Sequence, residues 1–108
     1  MIAETRIGPE VLRRAAAVLR CLGHPLRLRL LEALETGEKT VSELQEYAGV
    51  SQPMASQHLM VLKAHRVVDL RRAGPFARYS IVEPKVKSIL ECIRAGQCGG
   101  REPEFRDA

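Results

Sequence analysis

The stretch from Thr40 to Arg66 constrains this chain more than any other. Thr40 and Glu43 stand at the spacing of a capping box, Thr-x-x-Glu, which predicts a short helix through Leu44 and Tyr47. Gly49-Val50-Ser51 follows: a Gly that permits left-handed backbone, an apolar residue to plug the turn into a core, and a Ser suited to cap the next helix. That next helix runs to about His65, tolerates Pro53 in its first turn, and gathers Ala55, Leu59 and Leu62 on one face. Two short helices joined in this way form a helix-turn-helix. Ordinary antiparallel helix pairs share the pattern, so the flanking segments carry the decision.

After Arg66 the hydrophobic period drops to two. Val68 and Leu70 alternate with Val67, Asp69 and Arg71, Ala-Gly-Pro within Arg72 to Phe76 makes a turn, and Ala77 to Val82 returns as a second strand. Upstream, Pro9 opens a helix with Val11, Ala15, Val18 and Leu22 in register, beside Leu12 and Leu19, and Gly23 stops it. Pro25 opens a second, whose stripe is Leu26, Leu30, Leu31 and Leu34 up to Gly37; Arg27, Arg29, Glu32 and Glu35 occupy the face expected to meet solvent. Pro84 opens the last helix, with Val86, Ile89, Leu90 and Ile93 on its apolar side. The fold class is therefore mainly α with a small β-hairpin, a winged helix-turn-helix of order α-α-α-α-β-β-α. Residues 1–8 read as an N-terminal arm, 9–95 as the domain, and 96–108 as a polar tail.

At 108 residues there is room for one small core. Aromatics make up 4% with no Trp, too few for a stacking surface that grips single strands. Three Cys do not staple a secreted scaffold, and charges interrupt each apolar run, so a cytoplasmic protein without membrane association is expected. The net charge of +4 is local. Lys63, Arg66, Arg71, Arg72 and Arg78 stand against the single acid Asp69 between Lys63 and Ser80, and that excess equals the charge of the whole chain. A wing lying there meets phosphates, with Lys63, Arg71, Arg72 and Arg78 as the contacts. The N-terminal part of the preceding helix offers Ser51, Gln52, Ser56, Gln57 and His58, short polar groups that reach base edges, and Met54 suits a thymine methyl. The expected partner is double-stranded DNA. No Gly-rich phosphate loop, paired carboxylates or Cys-His couple suggests an enzyme.

Gly23-His24-Pro25-Leu26-Arg27-Leu28-Arg29-Leu30-Leu31, Val41-Ser42-Glu43-Leu44, and Ser51-Gln52-Pro53-Met54-Ala55-Ser56-Gln57-His58-Leu59 with Leu62, together with Gly74 and Tyr79, resemble the ArsR/SmtB family. The likeness runs from about Val18 to Ile81. It implies a homodimeric winged-helix repressor, paired through its first and last helices, that binds an inverted-repeat operator and leaves it when an inducer arrives. Two of the family's sensor sites are absent. Thr40 and Ser42 replace the Cys-x-Cys of arsenical sensors, and Glu83, Lys85, Gly96 and Gly99 replace the zinc set on the last helix.

The thiols remain. Cys21 near the end of the first helix, Cys92 on the last and Cys98 beyond it form the candidate site for a thiol-reactive inducer, arsenite-like or reactive sulfur. Arg20, Arg94 and Arg101 lie near them in sequence and would favour thiolate. No resident cofactor is required. Cys21 and Cys92 also fit as small core side chains. The competing readings are a repressor of this type without thiol sensing and a winged-helix module that binds protein. His24 fits capping or packing, His58 either DNA contact or support of its neighbours, and His65 the negative end of a helix dipole.

Overall fold

The computed structural model of the protein describes residues 5–96. Cys98 and the rest of the expected tail lie outside the described residues. Proline occupies the first turn of both α1 (Pro9–Leu22) and α2 (Pro25–Leu34), where its missing N–H forfeits no helical bond. In α3 (Val41–Ala48) the capping box is complete: the Thr40 hydroxyl accepts from the Glu43 N–H at 3.2 Å, and the Glu43 carboxylate accepts from the Thr40 N–H at 2.8 Å. That backbone donor holds the Glu43 carboxyl below the usual carboxylate range. Gly49 then takes φ 71°, a left-handed value that strains any residue with a Cβ. Ser51 caps α4 (Gln52–Ala64), its hydroxyl accepting from the Met54 N–H at 3.3 Å.

β1 (Val68–Ala73) and β2 (Phe76–Ile81) pair antiparallel, with Arg71 opposite Arg78 and Ala73 opposite Phe76. The turn is tighter than the five residues expected. Gly74, at φ 64°, reverses the chain beside Pro75 alone, and the ladder extends through Arg72, Ala73 and Phe76. Val67 is also corrected. It precedes β1, outside the alternation, so both Val67 and Val68 are buried; its carbonyl accepts from the Val82 N–H at 2.9 Å. A two-bond bridge between Lys39 and Tyr79, at 2.8 and 3.1 Å, fastens β2 to the segment before α3. The chain ends its described part with α5 (Lys85–Arg94).

Leu30 and Leu31 of α2, Leu44 of α3, Leu59 and Leu62 of α4, Val67, Val68 and Val86 fill the core. Val50 is half-buried, not the full plug expected. The polar side of α2 is less open than its sequence implies. Glu32 accepts from Arg29 at 2.6 Å, and Glu35 accepts from Arg94 at 2.6 Å, tying α5 to α2. On α1, Cys21 and Leu22 are buried, whereas Val11, Leu12 and Leu19 are 48–60% exposed.

Because Leu59 has no exposed surface, Leu59→Ala should cost about 2–5 kcal/mol in chemical denaturation. Met60→Ala, one position on and 67% exposed, should stay within about 0.5 kcal/mol of the parent.

Candidate nucleic-acid interface

α4 sits on the core through Ala55, Leu59 and Leu62, and the helical period turns its other sides outward. Ser51, Gln52, Met54 and Gln57 are exposed at its N-terminal half, Ser56 is half-buried, and Lys63 is exposed in the last turn. His65 follows, its ring Nδ1 3.1 Å from the Val61 carbonyl. Ser51 splits its roles, since its hydroxyl already caps the helix.

His58 does not face outward with these groups. Its ring is half-buried and its Nδ1 accepts from Nε of Arg27 at 3.1 Å. It also stands 4.5 Å, centroid to centroid, from the ring of His24. Burial, with smaller repulsive contributions from the His24 ring and the Arg27 guanidinium, pushes the His58 pKa down from its ordinary value. Arg27, assigned by periodicity to the solvent face of α2, is thus turned inward. Its Nη1 donates to the Cys21 carbonyl at 2.9 Å as well. His24 caps α2, its Nδ1 accepting from the Leu26 N–H at 3.1 Å. Sequence separations of 6 and 31 hide this cluster from any local pattern, although Arg27 and His58 both lie in the motif runs.

The hairpin carries its cations differently from a bare charge count. Arg71 forms a two-pronged pair with Glu38, which lies in the segment before α3, and that contact pulls the Glu38 carboxyl down. The Arg78 guanidinium lies 5.8 Å from the Phe76 ring centroid, and its buried Nε has no hydrogen-bond partner among the described residues. Arg72 is exposed on β1. Glu38 is the residue the sequence reading missed, because the local tally between Lys63 and Ser80 excluded the acid that folding brings beside the wing.

The thiols separate. Cys21 is 3% exposed and its Sγ lies 3.9 Å from the Val61 carbonyl on α4. Burial pushes its thiol pKa up, against a smaller opposing pull from Arg27. The arginine beside it is Arg27 rather than Arg20, and the net effect is the reverse of thiolate activation. Cys92 is half-buried on α5, and Cys98 falls outside the described residues. Among the described residues, no three His, Cys, Asp or Glu side chains group as a metal site. No described helix is long and apolar enough to cross a membrane.

Residues 24–69 match the bacterial regulatory proteins of the arsR family. A probable mercury resistance operon repressor from Streptomyces lividans is 40% identical over 79 residues, 73% of this chain; the match spans 63% of that protein's length. A biofilm growth-associated repressor from Agrobacterium fabrum is 36% identical over 97 residues, covering 87% of this chain and 83% of its own. Among solved structures, the homodimeric winged helix-turn-helix DNA-binding domain of a possible ArsR-family regulator from Mycobacterium bovis superposes with a TM-score of 0.73. Its identity is 25%, and 92% of each chain is covered.

In the folded protein Cys21 should react with iodoacetamide far more slowly than in denaturant, as residue-resolved mass spectrometry would measure. Equal rates in the two states would refute its sequestration.

Proposed function

The chain belongs to the arsR family of bacterial regulatory proteins, a winged helix-turn-helix family, and from that premise we propose that it is a homodimeric repressor reading an inverted-repeat operator in duplex DNA. The observation that carries this reading is the division of α4: Ala55, Leu59 and Leu62 are sunk in the core, while Gln52, Met54 and Gln57 stand free at the end that enters a major groove. Gln52 and Gln57 supply paired donor and acceptor groups for adenine, Met54 an apolar contact for a thymine methyl, and Ser51 and Ser56 bonds to bases or phosphate. Lys63, Arg72 and Arg78 face phosphates, and Arg71 joins them when it exchanges Glu38 for the backbone of the duplex.

Pairing of two copies is supported by the exposed Val11, Leu12 and Leu19 of α1 and Ile93 of α5, and by an apolar groove between these helices lined by Val18, Leu22 and Ile89. The Mycobacterium bovis relative is homodimeric by description. A two-fold pair sets its α4 helices about one turn of DNA apart, which the operator mirrors as an inverted repeat. Such a regulator works beside DNA in the cytoplasm and not as an enzyme.

Release from the operator is assigned to a thiol-reactive inducer, arsenite-like or reactive sulfur, at Cys92 and Cys98. Cys21 leaves that set, because a thiol deprived of solvent and of thiolate character is a poor ligand and nucleophile. A repressor without thiol sensing is the alternative that the same measurement separates.

Fluorescence anisotropy on an operator selected from random duplexes tests the first part. Gln57→Ala should change the preferred sequence, whereas Arg72→Ala should weaken every duplex alike and reduce the salt slope by about one. Equal losses on all sequences for both variants would count against the division of roles. For the inducer, arsenite or polysulfide should release wild-type protein from the operator and leave a Cys92→Ser, Cys98→Ser double variant bound. Unchanged release in the variant removes those thiols from the site.

A further inference from the structure

The cluster around Arg27 joins three elements at one point. The last turn of α1 supplies the Cys21 carbonyl, which accepts from Arg27 Nη1 at 2.9 Å, and the Cys21 thiol, which meets the Val61 carbonyl of α4. The first turn of α2 supplies Arg27 itself and the His24 cap. α4 supplies His58, one turn beyond the exposed Met54 and adjacent to Gln57. A bond from Arg27 to His58 Nδ1 requires an unprotonated nitrogen there, hence a neutral ring with its hydrogen on Nε2.

We infer that Arg27 is a positioning residue for α4: by gripping the neutral His58 ring and the end of α1 together it holds the operator-reading face in pose, and proton uptake at His58 releases that grip. The inference rests on the DNA-reading role proposed for α4. Its chemistry is one-directional. Protonated Nδ1 has no lone pair to accept the Arg27 N–H, and the new cation stands beside the Arg27 guanidinium and the His24 ring. These two, both from the start of α2, are the charged and titratable groups among the described residues that act on His58, and the other titratable group of the cluster, Cys21, is a neutral thiol. Among the described residues, no carboxylate acts on the ring to offset the charge. The lowered basicity of His58 agrees with this arrangement.

The sign separates this role from a direct contact. A His58 that touched phosphate would bind DNA more tightly on acidification, because the imidazolium would gain an anionic partner. A His58 that serves as acceptor for Arg27 makes sequence-specific binding weaker. The ratio of specific to non-specific affinity is the proper readout, since it cancels the general gain in positive charge on acidification.

On acidification from about pH 7.5 to about pH 4.5, through and below the ordinary histidine pKa of about 6.5 because His58 is shifted down from it, that ratio should fall about tenfold in the wild-type protein, near the lower end of what one hydrogen bond to a charged group is worth. His58→Asn, whose side-chain oxygen can stand near the position of Nδ1 and does not titrate, should keep a nearly constant ratio. Arg27→Gln should start with a low ratio at neutral pH and show little further loss. A histidine-selective NMR titration gives a second reading that needs no variant: operator binding should lower the pKa of His58 further, by linkage. A rise on binding, or a wild-type ratio that is flat or increases on acidification, overturns the grip. So does a His58→Asn variant that loses specificity over the same range as the wild type. Wild-type protein with no sequence preference at pH 7.5 overturns the DNA-reading role and the inference with it, so the two failures are distinguishable.

Discussion

The structure depends on how α4 is divided between core and solvent. Ala55, Leu59 and Leu62 are without exposed surface, and through the two leucines the helix is anchored along one narrow stripe in the same core as Leu30, Leu31 and Leu44. Removing apolar surface from water supplies the force. A wider stripe would have covered Gln57 and Met54. A narrower one would have left the helix to rely on its own propensity, which is marginal at 13 residues.

Around that anchor, polar contacts set orientation more than stability. The Lys39–Tyr79 bridge fixes the hairpin relative to α3, and the Arg71–Glu38 pair sits beside it on the same segment. The pair is largely exposed and contributes little to folding by itself. Its consequence is electrostatic: the excess charge of the wing is partly met by an acid from elsewhere in the chain, so Arg71 has to change partners before it can serve phosphate. Arg72 carries no such commitment in the structure's hydrogen bonds and ion pairs among the described residues, which is why it is the cleaner probe of backbone contact.

The features legible in the sequence share a short range. Thr40 with Glu43, Gly49 at left-handed φ and Ser51 capping α4 each act within three residues, and the caps and turn are as their residue types require. The leucine stripes were legible because burial follows helical period. The misreadings have the opposite character. Arg27 was placed on the solvent side because amphipathic period assigns a charged residue there by default; its long side chain instead reaches a nitrogen 31 residues away. For Cys21 the sequence left a ligand and a small core side chain both open, because a thiol's chemistry is visible there and its burial is not. Val67 was assigned to the outward face because its position just before the strand is not encoded in alternation.

The sequence by itself determined the order of elements, the helix boundaries at proline, glycine and serine, and the winged-helix motif with the short polar residue types on its second helix. Those properties follow from backbone dihedral limits, local capping and periodicity, all of which act between neighbours. Only the tertiary structure decided which polar groups remain available. It turned His58 from the outer set toward Arg27, set Glu38 against Arg71, and enclosed the Cys21 thiol against α4. Each of these depends on which distant segments the core brings together, and a buried donor or acceptor must be satisfied by whatever partner that packing delivers.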